Sequence, residues 1–127
     1  MKTLVTSVAL ILGLQAPMAV ALGVQDQLRV FANCAGRLSA VMEYQWMVDG
    51  PQSEQTETQR DQMLDLVAAI MPVDQGRQVL SWRVTAKSAQ WTLLSRATFN
   101  DDPGDAAWAR RMADRYAGEC TALLLNS

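Results

Sequence analysis

From Val24 onward the chain repeats one pattern, apolar residues at steps of three and four interrupted by clusters of Gly, Pro and Asp. Such spacing puts the apolar side chains on one stripe of an α-helix, and the stripe must then be buried against other helices. In the first segment Val24, Leu28, Phe31, Cys34, Leu38, Val41, Met42 and the pair Gln45-Trp46 follow it as far as Val48. Asp49-Gly50-Pro51 closes that helix, because Gly accepts the left-handed conformation and Pro cannot continue the hydrogen-bond ladder. A polar linker is expected to run to about Thr56. Thr56 with Gln59 resembles a capping box, and Met63, Leu64, Val67, Ile70 and Met71 form the stripe of a short second helix that Pro72 ends.

Asp74 is the expected cap of a third helix, since residues 78–99 contain no Gly, Pro, Asn or Asp. A β-hairpin competes for this stretch. Leu80, Trp82, Val84 and Ala86 alternate with Ser81, Arg83, Thr85 and Lys87, and Trp91, Leu93, Ala97 and Phe99 keep the phase. Lys87-Ser88-Ala89-Gln90 offers no residue suited to the positive φ of a tight hairpin, which favours one helix. After Asn100-Asp101-Asp102, Pro103 opens a fourth helix with the stripe Ala106, Ala109, Ala113, Tyr116, Cys120 and Leu124. The expected fold is all-α, an up-down four-helix bundle.

Residues 1–21 carry the pattern of a cleavable export signal: Lys2, an uncharged apolar core from Leu4 to Leu14, and the small-residue site Ala19-Val20-Ala21. An uncleaved anchor is the alternative that length permits, but Pro17 and the short apolar core favour cleavage. Removing 21 of the 127 residues leaves 106, a single domain over residues 22–127. No later apolar run is long enough to span a bilayer, so the expected location is periplasmic or secreted, without a membrane span after cleavage. In such a compartment the two cysteines, Cys34 and Cys120, are expected to form a disulfide, with two buried thiols as the alternative. One lies early in the first helix and the other late in the fourth, so antiparallel packing of these helices brings them to similar heights.

The segments FANCAGRLSAVMEYQW at residues 31–46 and GRQVLSWRVTAK at residues 76–87 resemble uncharacterised small exported helical proteins of alphaproteobacteria. The resemblance implies a helical third segment and no activity.

Several chemistries lack their residues. The chain has no histidine, the commonest general base and transition-metal ligand. With the cysteines joined, thiolate catalysis, zinc sites and iron–sulfur clusters lose their ligands as well. Lys87 would need a serine three residues earlier for a Ser-x-x-Lys site, and Val84 stands there. Glu57, Asp61 and Asp65 read as the solvated face of the second helix, Asp101, Asp102 and Asp105 as turn and cap residues, and Met42, Met63 and Met71 as core filling. No catalytic, cofactor-binding or metal-ligating residue is therefore expected, and no cofactor. Cleavage takes Lys2 from the 11 basic residues and none of the 13 acidic ones, moving the net charge from −2 to −3, so nucleic acid is not an expected partner.

Trp82 and Trp91 stand nine residues apart, about two and a half helical turns, so one of them should lie near the surface. Trp108 falls off the fourth helix's stripe, beside a run of arginines. Trp91, Trp108, Arg110, Arg111 and Arg115 form the expected interaction surface, for a protein or envelope assembly. The competing reading buries the rings at helix edges. The function expected is that of a non-catalytic exported accessory or protein-interaction module. The alternative is a bundle holding a small ligand or metal, for which Gln27 and Gln45 on the apolar line of the first helix are the cue.

Overall fold

The computed structural model describes residues 23–126, and the expected export segment lies outside them. Four helices account for almost all of the described chain: α1 (Val24–Val48), α2 (Gly50–Ile70), α3 (Gly76–Phe99) and α4 (Pro103–Leu125), with one 3-10 turn (Val73–Gln75) before α3. No strand occurs among the described residues, and residues 78–99 lie in one unbroken helix rather than a hairpin. No described helix is long and apolar enough to cross a membrane.

The second helix begins earlier than its sequence signals suggest. There is no linker to Thr56, and α2 is 21 residues long. Asp49 does two jobs at this corner: its backbone N–H closes α1 on the carbonyl of Gln45, and its side chain accepts from the N–H of Gln52. Pro51 sits in the first turn of α2, where a missing N–H costs nothing. Thr56, expected as a cap, is buried in mid-helix and donates its hydroxyl proton to the Gln52 carbonyl. Asp74 is also not a cap. It lies within the 3-10 turn, and α3 starts without side-chain capping. Asp102, by contrast, caps α4 by accepting from the N–H groups of Gly104 and Asp105 at 2.9 and 3.2 Å, an arrangement worth about 1 kcal/mol.

Helix directions follow from the paired residues. Along α1 and α3 the partners rise together, with Arg29 over Trp82, Glu43 on Lys87 and Tyr44 on Thr98, so the two helices are parallel. Along α1 and α4 they run in opposite senses, with Cys34 bonded to Cys120 and Arg37 over Tyr116. The backbone of α1 runs closest to α3 and α2, α4 packs mainly on α3, and α2 and α3 stay more than 8 Å apart. Around the bundle the order is therefore α1, α3, α4, α2. The first and last helices are antiparallel as expected, but they face each other across a diagonal, and the disulfide ties that diagonal with its Cα atoms 5.4 Å apart.

Small residues explain why α1 and α3 lie together. Gly36 is buried on α1, and a Cβ built on it would fall 2.2 Å from the backbone oxygen of Arg83. Only a residue without a side chain allows this approach. Ala32, Ala35, Ala40, Ala86, Ala97, Ala109 and Ala113 are also buried, so the helices close tightly over a thin core. One apolar cluster joins Cys34, Ala35, Leu38, Met63 and Cys120, and a second joins Leu28, Ala32, Val67 and Val79, with Phe31 packed against both. Met42 and Met63 are buried as expected, whereas Met71 caps the end of α2 and is 37% exposed. Trp46 continues the apolar line of α1, yet is 60% exposed at the end of that helix, beside the turn into α2.

Gln90 is a polar residue inside this core, 1% exposed. Its Nε2 donates to the Ala113 carbonyl at 3.0 Å, while its Oε1 is buried and receives no hydrogen bond. The Ala113 carbonyl keeps its own helical donor, so only the unmatched oxygen is strongly unfavourable. Replacing Gln90 with the similarly shaped Met is expected to stabilise the fold by about 1 kcal/mol, seen as a higher urea midpoint at unchanged slope.

Candidate interaction surfaces

Helix α3 carries two stripes. Val79, Ala86, Gln90 and Ala97 face the core, at steps of seven, four and seven. Leu80, Val84, Lys87 and Trp91 form a second line at steps of four, three and four, and its apolar members stay outside: Leu80 and Val84 are each 55% exposed and Trp91 37%. Trp82 is half-buried against the second core cluster, so it is Trp91 that reaches the surface.

This second stripe borders a groove between α1 and α3. One stretch, of about 630 Å³, is lined by Glu43, Val84, Lys87 and Trp91, and an adjoining recess of about 190 Å³ adds Gly36, Ser39 and Leu80. Both share Glu43, Val84 and Lys87, so they form one channel. Lys87 Nζ contacts Glu43 Oε1 at 2.6 Å across it. Because both side chains are partly exposed, the pair is worth under about 1 kcal/mol, and with Arg83 also lining the recess the groove keeps a net positive charge.

The structure does not gather the five expected surface residues into one face. Trp91 lies in the α1–α3 groove. Trp108 is 44% exposed and has the guanidinium of Arg96 stacked 5.1 Å from its ring centre. Trp91 and Arg96 are five residues apart on α3, about 140° around the helix, so the two tryptophans look in different directions. Arg110 donates to the Ala97 carbonyl at 3.1 Å, serving an otherwise open carbonyl in the last turn of α3. Trp108, Arg111 and Arg115 do share the outer side of α4, where Arg115 pairs with Glu119 at 3.2 Å and Arg111 has no partner among the described residues. Arg96 is meanwhile held by Asp105.

Leu80 and Val84 escape the sequence reading because they look like alternate residues of a strand; their step to Lys87 and Trp91 is the signal that identifies a second helical stripe. Gln27 is half-buried, and Gln45 lines a separate recess with its Oε1 closed off from solvent. Among the described residues no three acidic or cysteine side chains converge as a metal site would require. No family model, curated protein or solved structure matches the chain.

Proposed function

We propose that this protein is a non-catalytic, exported accessory module, periplasmic or secreted, that binds a macromolecular partner along the α1–α3 groove. The observation that carries this reading is the exposed stripe Leu80, Val84 and Trp91 beside the channel. Spaced apolar anchors beside a shallow groove suit an amphipathic helix of another protein, which would bury them at alternating steps of three and four. The signal-like residues 1–21 and the cysteine bridge support export.

The test is site-specific photocrosslinking in the exporting cell, with p-benzoylphenylalanine placed at Val84 or, as a control, at Arg111. A discrete protein adduct is expected from position 84, and Leu80→Asp together with Trp91→Ala should remove it while circular dichroism shows an intact fold. Adducts that form from Arg111 alone, or that survive both substitutions, would move the interface to α4 and end the groove reading.

A further inference from the structure

Among the residues that line the α1–α3 groove, the charged ones are Glu43, Arg83 and Lys87. Glu43 and Lys87 answer each other at 2.6 Å, so the uncompensated charge is that of Arg83. Arg83 is half-buried and pairs with no carboxylate among the described residues. Its Nε is sealed from water without an acceptor, whereas its two terminal nitrogens are neither hydrogen-bonded nor sealed. A guanidinium that has lost part of its hydration and gained no acceptor is unfavourable, and the edge left open is the fork that matches the two oxygens of a carboxylate. The hydroxyls nearby do not compete for that role. Ser39 and Thr92 give their protons to the Ala35 and Ser88 carbonyls of their own helices, at 2.8 and 3.0 Å.

The surroundings of this cation are apolar on the outer side, where Leu80 and Val84 are each 55% exposed and Trp91 lies further along the same helix. We propose that the helix seated in the groove carries an Asp or Glu that pairs with Arg83, so that the partner is recognised by one carboxylate set within an apolar stripe. This assignment rests on the reading of the groove as a partner site. Arg83 and Trp91 are eight residues apart on α3, a rise of about 12 Å, so in a helix lying along the groove the carboxylate and the apolar residue that meets Trp91 stand about seven or eight positions apart. A free phosphate suits the site less well, because its two charges would face one uncompensated cation and the Glu43 carboxylate beside it.

The experiment places p-benzoylphenylalanine at Ser88, exposed on the groove, in the exporting cell and maps the crosslinked segment of the partner by mass spectrometry. That segment is then made as two peptides, one with the acidic residue at the stated register and one with its neutral amide, and each is titrated against the disulfide-intact protein by fluorescence anisotropy. The amide peptide is expected to bind about tenfold more weakly, the effect of losing a charged hydrogen bond. Arg83→Gln should cost the acidic peptide the same factor and the amide peptide nothing further, with circular dichroism and the urea midpoint unchanged. Arg83→Lys, which keeps the charge and loses the fork, should fall between them and supplies the same comparison if Arg83→Gln does not fold. Raising the ionic strength should weaken the acidic peptide alone. The carboxylate assignment is overturned, with the groove reading intact, if the captured segment has no acidic residue at that register, if the two peptides bind alike, or if the losses from peptide and protein simply add. Absence of any adduct from Ser88 and Val84 would overturn the groove reading and this assignment with it.

Discussion

Replacing both cysteines, Cys34→Ala with Cys120→Ala, is expected to destabilise the fold by about 4.5 kcal/mol, the chain-entropy value for a closed loop of 86 residues. Two features make that loss severe. The residues that fully bury a large side chain are few, namely Leu28, Leu38, Met63 and Gln90 besides Cys120 itself, and much of the remaining core is alanine. A core of that kind supplies little reserve, and a small domain has only about 5–15 kcal/mol in total. In addition, the bridge joins α1 to α4 across the diagonal, where backbone packing between the two is sparse. The midpoint of thermal unfolding should fall by roughly 15–30 °C relative to the oxidised protein. A fall of only a few degrees would mean that alanine packing alone holds α4 in place.

The second large effect is expected at Gly36, and a matched substitution elsewhere should have the opposite sign. An Ala Cβ at position 36 would lie 2.2 Å from the Arg83 backbone oxygen and 3.0 Å from its carbonyl carbon, and a backbone carbonyl cannot rotate aside as a side chain does. Relief requires α1 and α3 to separate along the contact that orders the bundle. Gly36→Ala should therefore destabilise by about 3 kcal/mol, overpacking strain outweighing the better helix propensity of alanine. Gly118 lies within α4 with nothing inside 4 Å of a built Cβ. There the propensity gain acts unopposed, and Gly118→Ala should stabilise by about 0.5–1 kcal/mol. Urea unfolding of the two variants decides the matter, since equal and small effects would remove the close α1–α3 crossing as a determinant of the fold.

What was legible in the chain was what local spacing controls. The limits of α1, the helical character of α3, the cap at Asp102 and the partnership of Cys34 with Cys120 all follow from periodicity, breakers and two cysteines in opposed helices. The start of α2 was not, because Gly50-Pro51 can end one helix or open the next; the balance is set by Asp49 reaching Gln52 and by Ser53 reaching the Gly50 carbonyl. The order of helices around the bundle depends on Gly36 meeting a carbonyl far along the chain, and no local pattern encodes that meeting. The candidate surface was partly legible for the same reason. Phase puts one of Trp82 and Trp91 toward the surface and Trp108 off its stripe, but which of the first two is exposed, and the separation of Trp91 and Trp108 onto two faces, depend on where α1 and α4 dock on α3, and the engagement of Arg110 depends on how α3 ends against α4.

The position of the bridge has a further consequence for a chain exposed to proteases. The corner at Asp49, the turn at residues 71–75 and the turn at residues 100–102 all lie between Cys34 and Cys120. A cut at any one of these connections opens a ring without releasing a piece. The nicked protein keeps all four helices on one covalent frame.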